Sequence, residues 1–358
     1  MIHPRKPASG FAASAESSAS APAKLILCGE HSVVYARPAI ALPLAGIRAS
    51  ARVAAARAGS GITVHARDLR RRWRVADDPS NPLDELVVSA LAYIGLDPHA
   101  AMPDLRVSIR SSIPIASGMG SGAAVATALV RALAAHFGRA LAPSEISRLV
   151  YASEQRFHGT PSGIDNTVIA YEQPIWFQRT KGGAQTTEAE DAPSVPRPLS
   201  PRIEPIAIAA PLTLLIGDTG VRSATRAPVG EVRRRWQAEP ARYEALFDAV
   251  GALVARARDC LARGDIAALG PLLSQNHVLL QQIGVSSPEL DALVAAAQAA
   301  GALGAKLSGA GWGGVMLALV TPAARDAVSR ALAAAGATRV LDTSVEPSAP
   351  GEALKDAV

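Results

Sequence analysis

Three glycine-bearing segments lie far apart in the chain, each flanked by apolar residues. They read PAKLILCGEHSVVYARPAIAL at 22–42, PIASGMGSGAA at 114–124 and AKLSGAGWGGVMLAL at 305–319. Glycine lets backbone N–H groups crowd around an anion, and a helix that starts at such a loop adds a partial positive charge. Three ordered segments of this kind point to phosphate chemistry. Spacing then excludes two common phosphate loops. No glycine is followed by the Lys-Ser or Lys-Thr pair of a Walker A loop. Gly309, Gly311 and Gly314 do fit the dinucleotide spacing GxGxxG, but a strand-like run follows them instead of a helix, and they lie late in the chain.

The elements that must hold these segments can be read from periodicity. Residues 24–28 form a short buried strand, and 39–44 continue the apolar character after a loop. Residues 48–52 and 63–66 suggest further strands. Leu86, Val87, Ala90, Leu91 and Ile94 carry helical spacing, whereas Leu105, Val107 and Ile109 alternate with polar residues as a half-buried strand does. That strand leads into Gly118, Gly120 and Gly122, after which Val125, Leu129, Val130 and Leu133 lie on one face of a long helix. Strand, glycine loop, helix is the context that an anion site requires.

Downstream, a helix runs from 143 through 154, and polar, Pro-rich residues 179–205 form a long surface loop near a domain boundary. A strand at 212–217, helices at 243–263, 265–283 and 288–300, a strand at 315–320, a helix at 322–335 and a strand at 339–341 complete the chain. Strands and helices alternate without βαβ regularity, which makes the fold class α+β with two lobes. The expected division is an N-terminal extension without ordered structure at 1–20, a first domain at 21–204, a second at 205–343 and a tail at 344–358.

Bulk composition narrows the function classes. At 358 residues and 49% apolar content the chain can build real cores, and no apolar run is long enough to span a bilayer. The net charge of +5 is modest and aromatics make up only 4%, so neither a nucleic-acid surface nor a membrane partner is expected. The arginine clusters at 70–74 and 233–235 read as solvated faces. Two cysteines, Cys28 and Cys260, cannot make a disulfide framework, and no hydrophobic leader opens the chain; a reducing cytoplasm is the expected compartment.

In this context residues 114–124 resemble the phosphate loop of the GHMP kinase superfamily. Residues 24–42 are similar to its N-terminal motif in the form typical of the mevalonate kinases, and 306–315 to its C-terminal motif. The likeness extends through EQRFHGTPSGIDN (154–166), DTGVRSATRAPVGEV (218–232) and NHVLLQQIGVSSP (276–288), and so touches most of 21–341. It implies a lobe like ribosomal protein S5 domain 2 followed by a ferredoxin-like lobe. It also implies ATP as co-substrate, Mg²⁺ as cofactor, mevalonate as the small-molecule partner, and a homodimer as an assembly to test. Phosphoryl transfer needs an aligned hydroxyl, charge neutralisation and donors around the phosphates. By the resemblance, Asp165 is the general base, in a loop-like stretch where an Asx turn would be the structural alternative, and Lys24 is the catalytic cation. Glu154 and Ser121 are the metal ligands, and Gly118, Met119, Gly120, Ser121, Gly122, Ala123, Gly309 and Gly311 hold the nucleotide. Glu30, His31, Thr219 and Thr225 line the acceptor side, Ser223 beside them, and Trp312 packs. One departure stands out: the family carries two consecutive serines where this chain has Ser121 and Gly122, and the second is the one tied to the metal. Other acceptors (phosphomevalonate among them) and a nucleotide-binding regulator without turnover are the competing readings.

Overall fold

The computed structural model describes residues 14–77, 81–98, 100–115, 117–158, 162–179, 201–222, 226–349 and 351. Alternating apolar residues drive the first sheet. Strand β1 (Glu16–Cys28) runs antiparallel to the long β2 (Pro38–Ala55), with a 3₁₀ turn at Ser32–Tyr35 between them. β3 (Ile62–Ala66) and β4 (Arg71–Arg74) form a hairpin, α1 (Pro82–Tyr93) follows, and β5 (Leu105–Ser111) pairs parallel to β3 and antiparallel to β2. Helices α2 (Ser121–His136), α3 (Pro143–His158) and α4 (Ile164–Tyr171) come next, and α2 packs on β1 and β2. β6 (Ile175–Gln178) and β7 (Arg202–Pro205) complete seven strands in the order β4-β3-β5-β2-β6-β7, with β1 on β2.

The second lobe begins with β8 (Leu212–Asp218) and continues through α5 (Arg226–Ala238), α6 (Pro240–Arg263), α7 (Ile266–Ile283) and α8 (Pro288–Ala299). Strands β9 (Gly304–Ser308) and β10 (Val315–Val320), helix α9 (Arg325–Ala334) and strand β11 (Arg339–Val345) follow. Their antiparallel order β11-β8-β10-β9 is that of a split βαβ, the ferredoxin-like arrangement. Burial runs through both lobes without a break. Tyr35 stacks on Phe247 of α6 with ring centroids 4.2 Å apart, and the Arg37 guanidinium donates to Asp248 at 2.7 Å, so the first lobe is anchored to the second.

Several expectations need correction. Strand β1 starts at Glu16, so 16–20 are not a disordered extension. They pair with Ser50–Ala54, although Ala and Ser carry little strand signal of their own. The surface-loop reading of 179–205 fails at its end, where Arg202–Pro205 pair with β6; residues 180–200 lie outside the described ones. The arginines at 71–74 are exposed as expected, but on an edge strand. The final strand reaches Val345, and Ser348 bridges to Ile208, so the tail is tied to the fold at its start. Asp165 belongs to the first turn of α4 and not to a loop.

Candidate active site

Lys24 lies on β1 with its backbone N–H donating to the Met119 carbonyl at 3.0 Å, so the strand and the second glycine segment are joined at this residue. Its side chain is almost wholly buried, and its ammonium lies 3.0 Å from Asp165 Oδ1. The Asp165 side chain is 28% exposed, which leaves the carboxylate open to an incoming molecule. Gly163, at φ 90°, starts α4 in a conformation that ordinary side chains resist, and the Ser162 hydroxyl accepts from the Ile164 N–H at 3.3 Å. Those two residues set the turn that aims Asp165 at Lys24.

Glu154 comes to the same place from α3. Burial and then the Asp165 charge push its carboxyl up to about 8, against the pull of Lys24, so the three groups share one electrostatic neighbourhood. The sequence readings of Lys24, Asp165 and Glu154 thus converge.

The second glycine segment ends at Gly120, at φ 70°, directly before α2. No side chain caps this helix and no acidic residue stands in its first turn, so the N–H groups of Ser121, Gly122 and Ala123 are open to an anion. Met119 and Ala123 turn their side chains into the core and offer only backbone. Around Gly122 a Cβ would meet nothing within 4 Å. The third glycine segment lies alongside: a Cβ on Gly118 would come 3.4 Å from the Gly309 Cα, and Ser308 Oγ donates to the Ile26 carbonyl at 3.1 Å. Gly311 packs on the Val285 carbonyl, and the Trp312 indole N–H donates to Gly284 O at 3.0 Å, a packing role as expected.

Glu30 and His31 follow β1. Glu30 is 1% exposed and ion-paired with Lys306, a residue of β9 that is itself fully buried. Burial raises the Glu30 carboxyl, and the Lys306 charge opposes the rise. His31 contacts the Ala310 carbonyl through Nε2 at 2.9 Å, and desolvation lowers its imidazole to about 4, so the ring is neutral at physiological pH. Thr219 spends its hydroxyl on the Gly314 carbonyl at 2.9 Å and accepts from the Val221 N–H, which makes it a tie between β8 and the third glycine segment. Thr225 and Ser223 lie outside the described residues. Lys306, Asn276 and Ser308 escaped sequence reasoning. For Lys306 a signal existed, since a lysine inside an apolar run demands a buried partner.

Comparison with known proteins agrees with this geometry. The GHMP kinases N terminal domain matches residues 85–173 and the GHMP kinases C terminal domain residues 257–338. The mevalonate kinase of Thermococcus sibiricus is 34% identical over 335 residues, covering 89% of this chain and 93% of the relative. That of Pyrococcus furiosus is 31% identical over 354 residues, covering 94% and 99%. Among solved structures, the L. major mevalonate kinase in complex with R-mevalonate is similar at a TM-score of 0.77 and 29% identity, over 98% of this chain and 100% of that one. The Methanococcus jannaschii mevalonate kinase, at 21% identity and a TM-score of 0.75 over 96% and 100%, shares the fold.

Proposed function

The chain belongs to the mevalonate kinases of the GHMP kinase family, and on that footing we propose the division of labour among its residues that follows. The reaction is ATP-dependent phosphorylation of the 5-hydroxyl of mevalonate, giving 5-phosphomevalonate and ADP. The observation that carries the assignment of roles is the Lys24–Asp165 pair, 3.0 Å apart and open to solvent on the Asp165 side.

Asp165 accepts the proton of the acceptor hydroxyl as its oxygen bonds to the terminal phosphorus. Lys24 holds that carboxylate in place and offsets charge that builds on the transferred group. The open N–H groups at the start of α2 receive the nucleotide phosphates, and the third glycine segment closes against them. Glu30 and His31 face the acceptor side.

Among the described residues no cluster of three or more His, Cys, Asp or Glu side chains forms a metal cage. Mg²⁺ needs none, because one carboxylate plus phosphate oxygens and water satisfies it. Glu154 fits that part: burial first and then the Asp165 charge hold its carboxyl up, and a divalent cation would relieve the repulsion between the two acids. Ser121 is the hydroxyl of the loop available to the same ion. When bound, the ion neutralises phosphate charge during transfer.

An ADP-release assay over mevalonate, phosphomevalonate, homoserine and galactose tests the acceptor. The highest kcat/KM is expected with mevalonate; a preference for phosphomevalonate would overturn the assignment. No helix among the described residues is long and apolar enough to cross a membrane. A cytoplasmic homodimer remains part of this proposal, to be checked by light scattering.

A further inference from the structure

The turn that carries Glu30 and His31 belongs to the first lobe, yet the second lobe fastens it at three points. Asn276 of α7 accepts from the Gly29 N–H at 3.4 Å, Lys306 of β9 pairs with Glu30, and the Ala310 carbonyl meets His31 Nε2 at 2.9 Å. Only one of the three carries charge. Lys306 is fully buried on a strand whose five residues are all buried, so its ammonium has no access to water. It donates to Glu30 Oε1 and to the Leu307 carbonyl. The other Glu30 oxygen, Oε2, is equally buried and has no hydrogen-bond partner among the described residues. Glu30 lies six residues along the chain from Lys24 and also feels its charge.

A buried acceptor with nothing to accept from is costly in a folded protein unless a ligand supplies the donor. We propose that Lys306 is a positioning residue: by binding Oε1 it fixes the Glu30 carboxylate so that Oε2 stays available to a hydroxyl of the acceptor substrate. The acceptor subsite is then complete only when the second lobe is docked. This inference rests on the reading of Glu30 as an acceptor-side residue. It concerns a lysine in the third glycine segment that the reaction scheme above leaves without a part.

The test is a double-mutant cycle on the full-length protein, with mevalonate and ATP titrated separately. Lys306→Met keeps an unbranched side chain one heavy atom shorter and removes the charge; Glu30→Gln removes the carboxylate and keeps the shape. Lys306→Met is expected to raise KM for mevalonate about tenfold or more while KM for ATP stays within about twofold, because only the acceptor side loses its orientation. The Lys306→Met, Glu30→Gln double variant should be no worse toward mevalonate than the weaker single, since Lys306 acts through Glu30. Lys306→Arg, which keeps the charge, should recover part of the mevalonate KM. A mevalonate KM unchanged in Lys306→Met, equal rises in both KM values, or single effects that multiply in the double would each overturn the inference.

A buried charge left without its partner can unfold a protein. Should Lys306→Met fail to fold, the neutral double and Lys306→Arg, each checked by circular dichroism, still decide the matter. A double whose mevalonate KM equals that of Glu30→Gln supports the inference, and one with a further rise refutes it. The parent enzyme's own activity on the acceptor panel separates this outcome from failure of the mevalonate reading, for which the parent would be inactive on mevalonate. In that case the cycle is run with the acceptor the panel identifies.

Discussion

Gly120 and Gly122 stand two residues apart, yet a methyl group added to each should have opposite effects on stability. At Gly120 the backbone is at φ 70°, and a Cβ would lie 2.9 Å from both Lys24 Cγ and Ile169 Cδ1. The left-handed conformation costs an ordinary residue roughly 1–2 kcal/mol. The two contacts are several tenths of an ångström inside the ~3.5–4.0 Å separation of packed carbons, and overpacking of that kind adds about 1 kcal/mol or more. Gly120→Ala should therefore destabilise by roughly 2–3 kcal/mol. Relief requires the Lys24 stem to move, and its ammonium moves with it, away from the 3.0 Å contact with Asp165. A shift of about 1 Å at a reaction centre lowers kcat by about a hundredfold. At Gly122 a new Cβ meets nothing within 4 Å and φ is not positive, so Ala in this helical turn should stabilise by up to ~1 kcal/mol. Urea denaturation of the three proteins, with kcat for Gly120→Ala, makes the comparison. A Gly120→Ala protein as stable and active as its parent would refute the packing argument, and so would a Gly122→Ala protein as damaged as Gly120→Ala.

Asp165→Asn should lower kcat by about a hundredfold or more while nucleotide affinity persists, as removal of a general base requires; a near-parent rate would strip Asp165 of its role. His31 makes a pH prediction. Its imidazole sits at about 4 when folded and near 6.5 when unfolded, so on acidification the unfolded chain takes the proton first. The stability it contributes is intact above about pH 6.5 and falls away toward pH 4, by about 3 kcal/mol in all. His31→Asn tolerates the φ of 59° there, so the stability gap between parent and variant should narrow by about 2–3 kcal/mol from pH 7 to pH 4.5. A gap that stays constant would contradict the buried, neutral assignment.

Much of the site was legible because its parts sit on local patterns. The glycine segments, the alternation of Leu105, Val107 and Ile109, and the helical face of Val125 to Leu133 each follow from near neighbours. What escaped depends on distant ones. Glu30 and Lys306 are 276 residues apart, and nothing within a ten-residue window announces their pairing. Residues 16–20 join a strand because β2 supplies the partner, against their own weak propensity. Asp165 read as loop because GTPSG breaks any helix, but a new helix starts immediately after Gly163.

The sides of the seven-stranded sheet bear on how the molecule behaves in concentrated solution. β4 and β7, at the two ends of the strand order, are four residues long and carry Arg71, Arg72, Arg74 and Arg202, Glu204, Pro205. The free side of β1 is taken over its second half: Met119 O holds the Lys24 amide, while Arg131 and Ser308 donate to the carbonyls of Ser20 and Ile26. Among the described residues, the terminal strands β4 and β7 of the first lobe's sheet are thus short and charged, which discourages another chain from adding to them. Short, charged ends of this kind disfavour amyloid-like growth from this sheet.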